Sequence, residues 1–145
     1  MFDIKVTRVV KKPIDAVFAI LADHGNYSQF KPVDESILVE HGKTEQNGLG
    51  ALRKVKLGGM TLHERIVLFE PPYRLGYQIE RSAPLRFEHI KGEVMLKEHA
   101  EGTEVTWVSQ GHIRFPLLGP LLFDRMAQAQ GATGFASILK SIEQM

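Results

Sequence analysis

Cysteine is absent from the 145 residues, which removes disulfides, thiol catalysis and thiolate metal sites from consideration. Long apolar runs are missing too. No stretch approaches the roughly 20 residues of a membrane span, and the charged N-terminus lacks the apolar segment of a secretory signal. Neither sign of charge dominates: Lys and Arg number 18 against 17 Asp and Glu, for a net charge of +1. Nothing therefore argues for nucleic acid or an anionic membrane surface, both of which need clustered cations. The pairs Lys11-Lys12 and Lys54/Lys56 read as solvated faces. Repeats, low-complexity tracts and linkers are also lacking. What is left is an ordinary soluble composition, 43% hydrophobic and 24% charged, long enough for one core. The expectation is a single cytoplasmic domain over residues 1–145 with no cofactor; its oligomeric state is not legible.

Periodicity gives the organisation. Phe2, Ile4, Val6 and Arg8 alternate with Asp3, Lys5, Thr7 and Val9, which predicts a strand. Pro13 and Asp15 suit the first turn of a helix. Ile14, Val17, Phe18 and Leu21 then fall on one helical face, with Gly25 as the expected stop. Asn26 to Phe30 reads as a second short helix ended before Pro32. From Glu35 to Phe115 the period is two, broken by turn residues near 42–48, 58–59, 71–72, 82–85 and 99–102. That predicts about six consecutive strands. From about Leu117 or Pro120 to Glu143 the period is helical again.

Hairpin geometry fixes partners as well as strands. A two-residue turn at Gly58-Gly59 sets Leu57 opposite Met60, and hence Val55 opposite Leu62, Arg53 opposite Glu64 and Ala51 opposite Ile66. These side chains share one face, because a strand alternates. The other face carries Lys54, Lys56, His63 and Arg65 and is the wet one. Arg53 and Glu64 are therefore expected as cross-strand neighbours on the apolar face. Pro71-Pro72 as the next turn sets Leu68 against Leu75 and Ile66 against Tyr77, so Tyr77 lies diagonally from Glu64. A four-residue loop at His99–Gly102 places Leu96 against Val105 and Val94 against Trp107. Glu88 joins the inner layer if the loop at 82–85 carries no bulge.

The last helix is thin where it should be bulky. Its inner stripe is expected at Leu118, Leu122, Met126, Ala129, Ala132 or Thr133, Ala136 and Leu139, and Gly131 and Gly134 lie nearby. A glycine inside a helix costs up to about 1 kcal/mol against alanine. Two of them imply either close helix–sheet packing or room for a ligand.

Catalytic patterns are sparse. The six histidines include no pair at an i, i+4 ligand spacing on a helix, and alternation puts His63 on the wet side, so no metal site is expected. No serine sits in a nucleophile-elbow pattern. Gly48–Gly50 precedes a strand rather than opening a helix, which argues against a phosphate cradle.

The order strand, helix, short helix, six-stranded meander, long helix resembles the START-like (SRPBCC) superfamily. Local features are similar to its polyketide cyclase/dehydrase-like and coenzyme-Q-binding branches. They are Pro13 with Val17 and Phe18, Asp23, Asn26-Tyr27, and Phe30 with Pro32; then Gly48-x-Gly50 with Arg53, Glu64 before Glu70-Pro71-Pro72, Leu75-x-Tyr77, and Gly102-Thr103 with Val105 and Trp107. Lys31-Pro32-Val33 stands where many coenzyme-Q-branch proteins carry a Trp-rich motif, which lowers the quinone reading. The resemblance implies an α+β helix-grip fold: a curved antiparallel sheet of about seven strands wrapped around a long C-terminal helix, with two short helices after the first strand. It also implies carriers, receptors, cyclases and co-chaperones alike, since fold does not fix function.

The function expected is binding or transport of a lipid-, quinone- or polyketide-like molecule between sheet and helix. Its contacts are expected from Arg53, Glu64, Tyr77, Trp107, Glu88, Leu122, Met126, Ala129 and Thr133. Arg53 would hold a carbonyl, enolate or carboxylate through its planar fork, Glu64 would neutralise it, and Tyr77 would donate to a carbonyl. The alternatives are a polyketide cyclase or dehydratase, and a protein-interaction module with a filled core, in which Arg53–Glu64 is only an internal ion pair.

Overall fold

A computed structural model describes residues 1–115 and 118–145, the side chains of 120 and 121 apart. Seven antiparallel strands form one sheet in the order β1-β7-β6-β5-β4-β3-β2. They are β1 (Phe2–Val10), β2 (Val33–Glu40), β3 (Leu52–Leu57), β4 (Met60–Glu70), β5 (Arg74–Ala83), β6 (Arg86–His99) and β7 (Gly102–Arg114). Helix α1 (Ile14–Leu21) and a 3-10 helix (His24–Gln29) connect the two edge strands β1 and β2. A π-helical segment (Gly119–Phe123) leads into α2 (Asp124–Glu143), which crosses the inner face of the sheet. This is the α+β helix-grip arrangement. No helix among the described residues is long and apolar enough to cross a membrane.

Local chemistry accounts for most of these elements. Strand β7 alternates with period two along its length, burying Thr103, Val105, Trp107, Ser109, Gly111 and Ile113. Helix α1 buries the four residues its apolar stripe marks, Ile14, Val17, Phe18 and Leu21. Fully burying each such side chain contributes about 1.5–3 kcal/mol. The stop differs from expectation: Ala22 caps α1, and Gly25 lies inside the 3-10 helix. Gly58 and Gly59 both have positive φ, at 56° and 79°, as a two-residue turn matched to strand twist requires. That turn delivers the expected register of β3 on β4, with Arg53 opposite Glu64 and Val55 opposite Leu62.

Three departures come from irregular backbone. Between β4 and β5 the loop is one residue longer than a Pro71-Pro72 turn, because Glu70 pairs with Arg74. A bulge at Val67 takes the extra residue back, so Ile66 does meet Tyr77, while Leu68 meets Gly76 instead of Leu75. Between β6 and β7 the turn is only Ala100-Glu101, yet Val94 still meets Trp107 and Leu96 meets Val105. A second bulge, at Ile90 on β6, then reverses which side chains face inward. Before it, Phe87 and His89 turn toward the core and Glu88 turns outward. The expectation for Glu88 is corrected accordingly. It is exposed and pairs with Arg114 at 2.6 Å.

The inner stripe of the last helix is also shifted. Leu118, Leu122 and Met126 are exposed, and the residues buried toward the C-terminal end of α2 are Gly134, Ile138, Leu139 and Ile142. The stretch Gly119–Phe123 is wound as a π-helix, so a stripe extrapolated from Leu118 at 3.6 residues per turn falls out of phase. Leu117, the earlier of the two expected helix starts, lies outside the described residues.

Candidate functional site

Between α2 and the inner face of the sheet lies a cavity of about 620 Å³, within the usual size of small-molecule sites. Its walls are mostly apolar. Phe2, Ile4, Val55, Leu62, Ile79 and Trp107 come from the strands, and Phe135 and Ile138 from α2. Strands supply these residues because inward positions recur every second residue. Helix α2 leaves room because Ala127, Gly131 and Gly134 occupy its facing positions. One glycine has a packing reason: a Cβ on Gly131 would come within 2.4 Å of Ile4 Cδ1. At Gly134 the nearest atom would be Pro32 Cγ, at 3.7 Å, so that position adds open space. Ala129, Gln130 and Thr133 on α2, with Leu57, Gly58 and Met60 of the β3–β4 hairpin, also line the cavity.

A polar cluster is set into this apolar surface. Arg53 heads the fully buried side chains by size, at 2% exposure. Its Nε donates to Glu64 Oε1 at 2.8 Å, and its Nη1 donates to His24 Nδ1 at 3.2 Å. The guanidinium carbon lies over the rings of Tyr27 and Tyr77, 4.9 and 5.1 Å from their centroids, two cation–π contacts. Burial alone would lower the Arg53 pKa, but the Glu64 carboxylate together with Tyr27 and Tyr77 outweighs it and the shift is upward. The tautomer of His24 follows from its partners. Its Nε2 faces the Asn47 carbonyl at 2.8 Å and carries the proton, leaving Nδ1 to accept from Arg53. Burial, then the neighbouring guanidinium, pulls the His24 pKa down to about 3, so the ring is neutral.

A second chain of hydrogen bonds runs along the cavity wall. Trp107 Nε1 donates to Tyr77 Oη at 2.9 Å. His89 Nδ1 accepts from the Ile79 amide at 3.0 Å, so its Nε2 donates to Ser109 Oγ, also at 3.0 Å. The His89 ring stacks on Tyr77, with centroids 5.5 Å apart. Burial and then the Glu64 charge push the Tyr77 phenol above its ordinary pKa, so it serves as a neutral donor and acceptor. On the opposite side Phe135 stacks on Trp107 at 4.3 Å and 8°, fixing the indole between helix and sheet.

Of the residues expected from sequence, the structure brings Arg53, Glu64, Tyr77, Trp107, Ala129 and Thr133 to this cavity. It does not bring Glu88, Leu122 or Met126 there. Glu88 faces solvent beyond the Ile90 bulge, Leu122 points away within the π-helical turns, and Met126 lies on the exposed side of α2. Sequence reasoning missed His24, Tyr27, Ser109 and Phe135. Phe135 carried a usable signal: counting back from Leu139 in steps of four reaches Phe135, Gly131 and Ala127, all of which line the cavity. His24 carried none, since its partners lie on β3 and in the loop before it.

The sequence matches the family described as polyketide cyclase/dehydrase and lipid transport over residues 1–143. No curated protein matches it. Similar solved structures include the Zhui aromatase/cyclase of Streptomyces sp. R1128, at 21% identity and a TM-score of 0.79, covering 98% of this chain and 91% of that one. A START superfamily protein of Mycobacterium smegmatis superposes with a TM-score of 0.76 at 10% identity, covering 99% and 96%. A protein of Thermus thermophilus gives 0.75 at 18%, covering 98% and 94%. At these identities the structures share the fold.

Proposed function

Since the chain belongs to the polyketide cyclase/dehydrase and lipid transport family, we propose that it binds a hydrophobic small molecule in the cavity between α2 and the sheet, as a carrier or sensor. The observation that carries this reading is a 620 Å³ cavity with largely apolar walls and one fixed polar cluster. Apolar walls supply affinity and the few polar groups set orientation. The state of those groups favours binding over turnover. A general acid or base works best with a pKa near the operating pH. His24 is pulled down to about 3 with both ring nitrogens engaged, Tyr77 is pushed up, and Arg53 keeps its charge.

Cyclisation of a poly-carbonyl chain is the second reading. It draws on the placement of Tyr77, Glu64 and Arg53 around one cavity and on the likeness to an aromatase/cyclase. A filled interaction module is disfavoured by the cavity itself.

The test is titration of the protein with Nile red, a neutral apolar dye, for the wild type and for Ala129→Leu. Ala129 is exposed and borders the cavity, so leucine there narrows the space while overpacking little of the core. A saturable emission shift in the wild type, weakened several-fold in the variant at unchanged folding stability, supports the reading. Absence of saturable binding, or binding untouched by Ala129→Leu, counts against it.

A further inference from the structure

The charges around the cavity say more about its occupant. Arg53 and Glu64 are the charged side chains among the described residues that line it, and they are bound to each other. The other polar lining groups, Tyr27, Tyr77, Ser109, Gln130, Thr133 and Ser137, are neutral. A lone guanidinium at the floor of an apolar pocket would be a carboxylate receptor, gripping both oxygens through two parallel N–H donors. Two edges of the fork can do this, Nε with Nη2 and Nη1 with Nη2. Here Nε is taken by Glu64 and Nη1 by His24, so each edge already has one donor engaged. The guanidinium carbon also lies over the rings of Tyr27 and Tyr77. The bonds to Glu64 and His24 leave Nη2 and Glu64 Oε2 over, with the Tyr27 hydroxyl within reach of the guanidinium.

From this geometry we infer that Glu64 is a specificity-determining residue: it occupies Arg53 so that the pocket selects uncharged, oxygen-bearing amphiphiles and rejects carboxylates of the same chain. The inference rests on the binding reading above and names the ligand class for that site. The N–H donors left on Nη2 can meet a carbonyl or hydroxyl oxygen. A single remaining carboxylate oxygen suits one hydroxyl proton, so alcohols, phenols, enols and esters can be held without any change of charge. A carboxylate would bring a second negative charge beside Glu64 in a site walled by apolar groups, where like charges repel strongly. Recognition by a repulsive element complements recognition by fit.

The experiment is displacement of bound Nile red by dodecanol, methyl dodecanoate and dodecanoate, at mildly alkaline pH where the acid is ionised. In the wild type the two neutral compounds should displace the dye at concentrations at least about tenfold lower than dodecanoate, the scale of one poorly solvated charge contact. In Glu64→Gln the amide oxygen can still accept from Arg53 Nε but the negative charge is gone, so the repulsion of a carboxylate disappears and the preference should collapse or invert toward dodecanoate. Equal or stronger displacement by dodecanoate in the wild type overturns the inference. An unchanged preference in a folded Glu64→Gln protein overturns the role given to Glu64. If that variant does not fold, the wild-type comparison of methyl dodecanoate with dodecanoate, which differ at the polar end by the charge, still decides the ligand class. Failure of Nile red to bind brings down the binding proposal itself, a separate result from binding with the wrong charge preference.

Discussion

Replacing Arg53 by methionine keeps most of its volume and removes its charge, which isolates the electrostatic role of a side chain only 2% exposed. Three interactions disappear: the bond to Glu64 at 2.8 Å, the bond to His24 at 3.2 Å, and the contacts with the rings of Tyr27 and Tyr77 at 4.9 and 5.1 Å. The dominant loss is the first, because the Glu64 carboxylate is left without its counterion. Breaking a buried pair in this way costs about 3–5 kcal/mol. Glu64 borders the cavity and its side chain is 9% exposed, so water can soften the penalty toward the lower figure. Glu64→Gln alone leaves the converse problem, an uncompensated guanidinium.

The double variant Arg53→Met with Glu64→Gln contains no unpaired charge. What it still lacks is the pair of cation–π contacts, about 0.5–2 kcal/mol each, and a donor for His24. The two single costs should therefore exceed the double cost by about 2–3 kcal/mol. Urea unfolding of all four proteins, followed by far-UV circular dichroism, measures that coupling. A change of this size is large against a typical total stability of about 5–15 kcal/mol, so the singles should show clearly lowered midpoints. A coupling below about 0.5 kcal/mol, the scatter expected of independent sites, would refute the claim that the pair acts as one buried unit.

Three further expectations concern His24 and two glycines that border the cavity or its polar groups. His24 has a folded pKa near 3 against an unfolded value of about 6.5, so the unfolded chain binds the extra proton first; stability should fall with decreasing pH from about 6.5 toward 3, by up to about 1.4 kcal/mol per pH unit. His24→Gln, whose amide can both donate to Asn47 and accept from Arg53, should flatten the difference, and parallel pH profiles of the two proteins would count against it. A Cβ on Gly92 would stand 2.6 Å from Tyr77 Cζ and 2.7 Å from His89 Cε1, so Gly92→Ala should displace the Tyr77 ring and cost about 1–3 kcal/mol. Gly134→Ala, meeting only Pro32 Cγ at 3.7 Å, should instead be neutral or stabilise by up to about 1 kcal/mol; thermal midpoints that rank the two the other way would contradict this packing.

What could be read from the chain and what could not divide along a physical line. A two-residue turn propagates its register outward as long as the ladder is regular, and β3–β4 is regular, so the Arg53–Glu64 pairing was legible from Gly58-Gly59. The same reasoning fails at Leu68, where the β4–β5 loop is one residue longer than the two prolines suggest, and at Glu88, beyond the bulged and exposed Ile90. A bulge is set by how the sheet must curve around α2, and no local pattern in β4 or β6 announces it. The π-helical stretch Gly119–Phe123 shifts the phase at Leu122, whereas Met126 stands in regular α2 thirteen residues before Leu139, which at 3.6 residues per turn puts it on the opposite side from the buried stripe.

The site shows the same division within one cluster. Arg53 and Glu64 are one turn apart in the chain, whereas His24 reaches Arg53 only because the 3-10 helix docks on β2 and β3, with Ser36 Oγ donating to the His24 carbonyl. Periodicity can mark an inward-facing charge as anomalous, and it did so for Arg53, but it cannot name partners from another layer of the fold. Those partners decide the chemistry. With Glu64 alone, Arg53 would keep Nη1 and Nη2 as an open edge for a carboxylate. With His24 on Nη1 as well, neither edge of the guanidinium keeps both of its nitrogens unengaged, and it is on this arrangement that the proposed preference for neutral ligands rests.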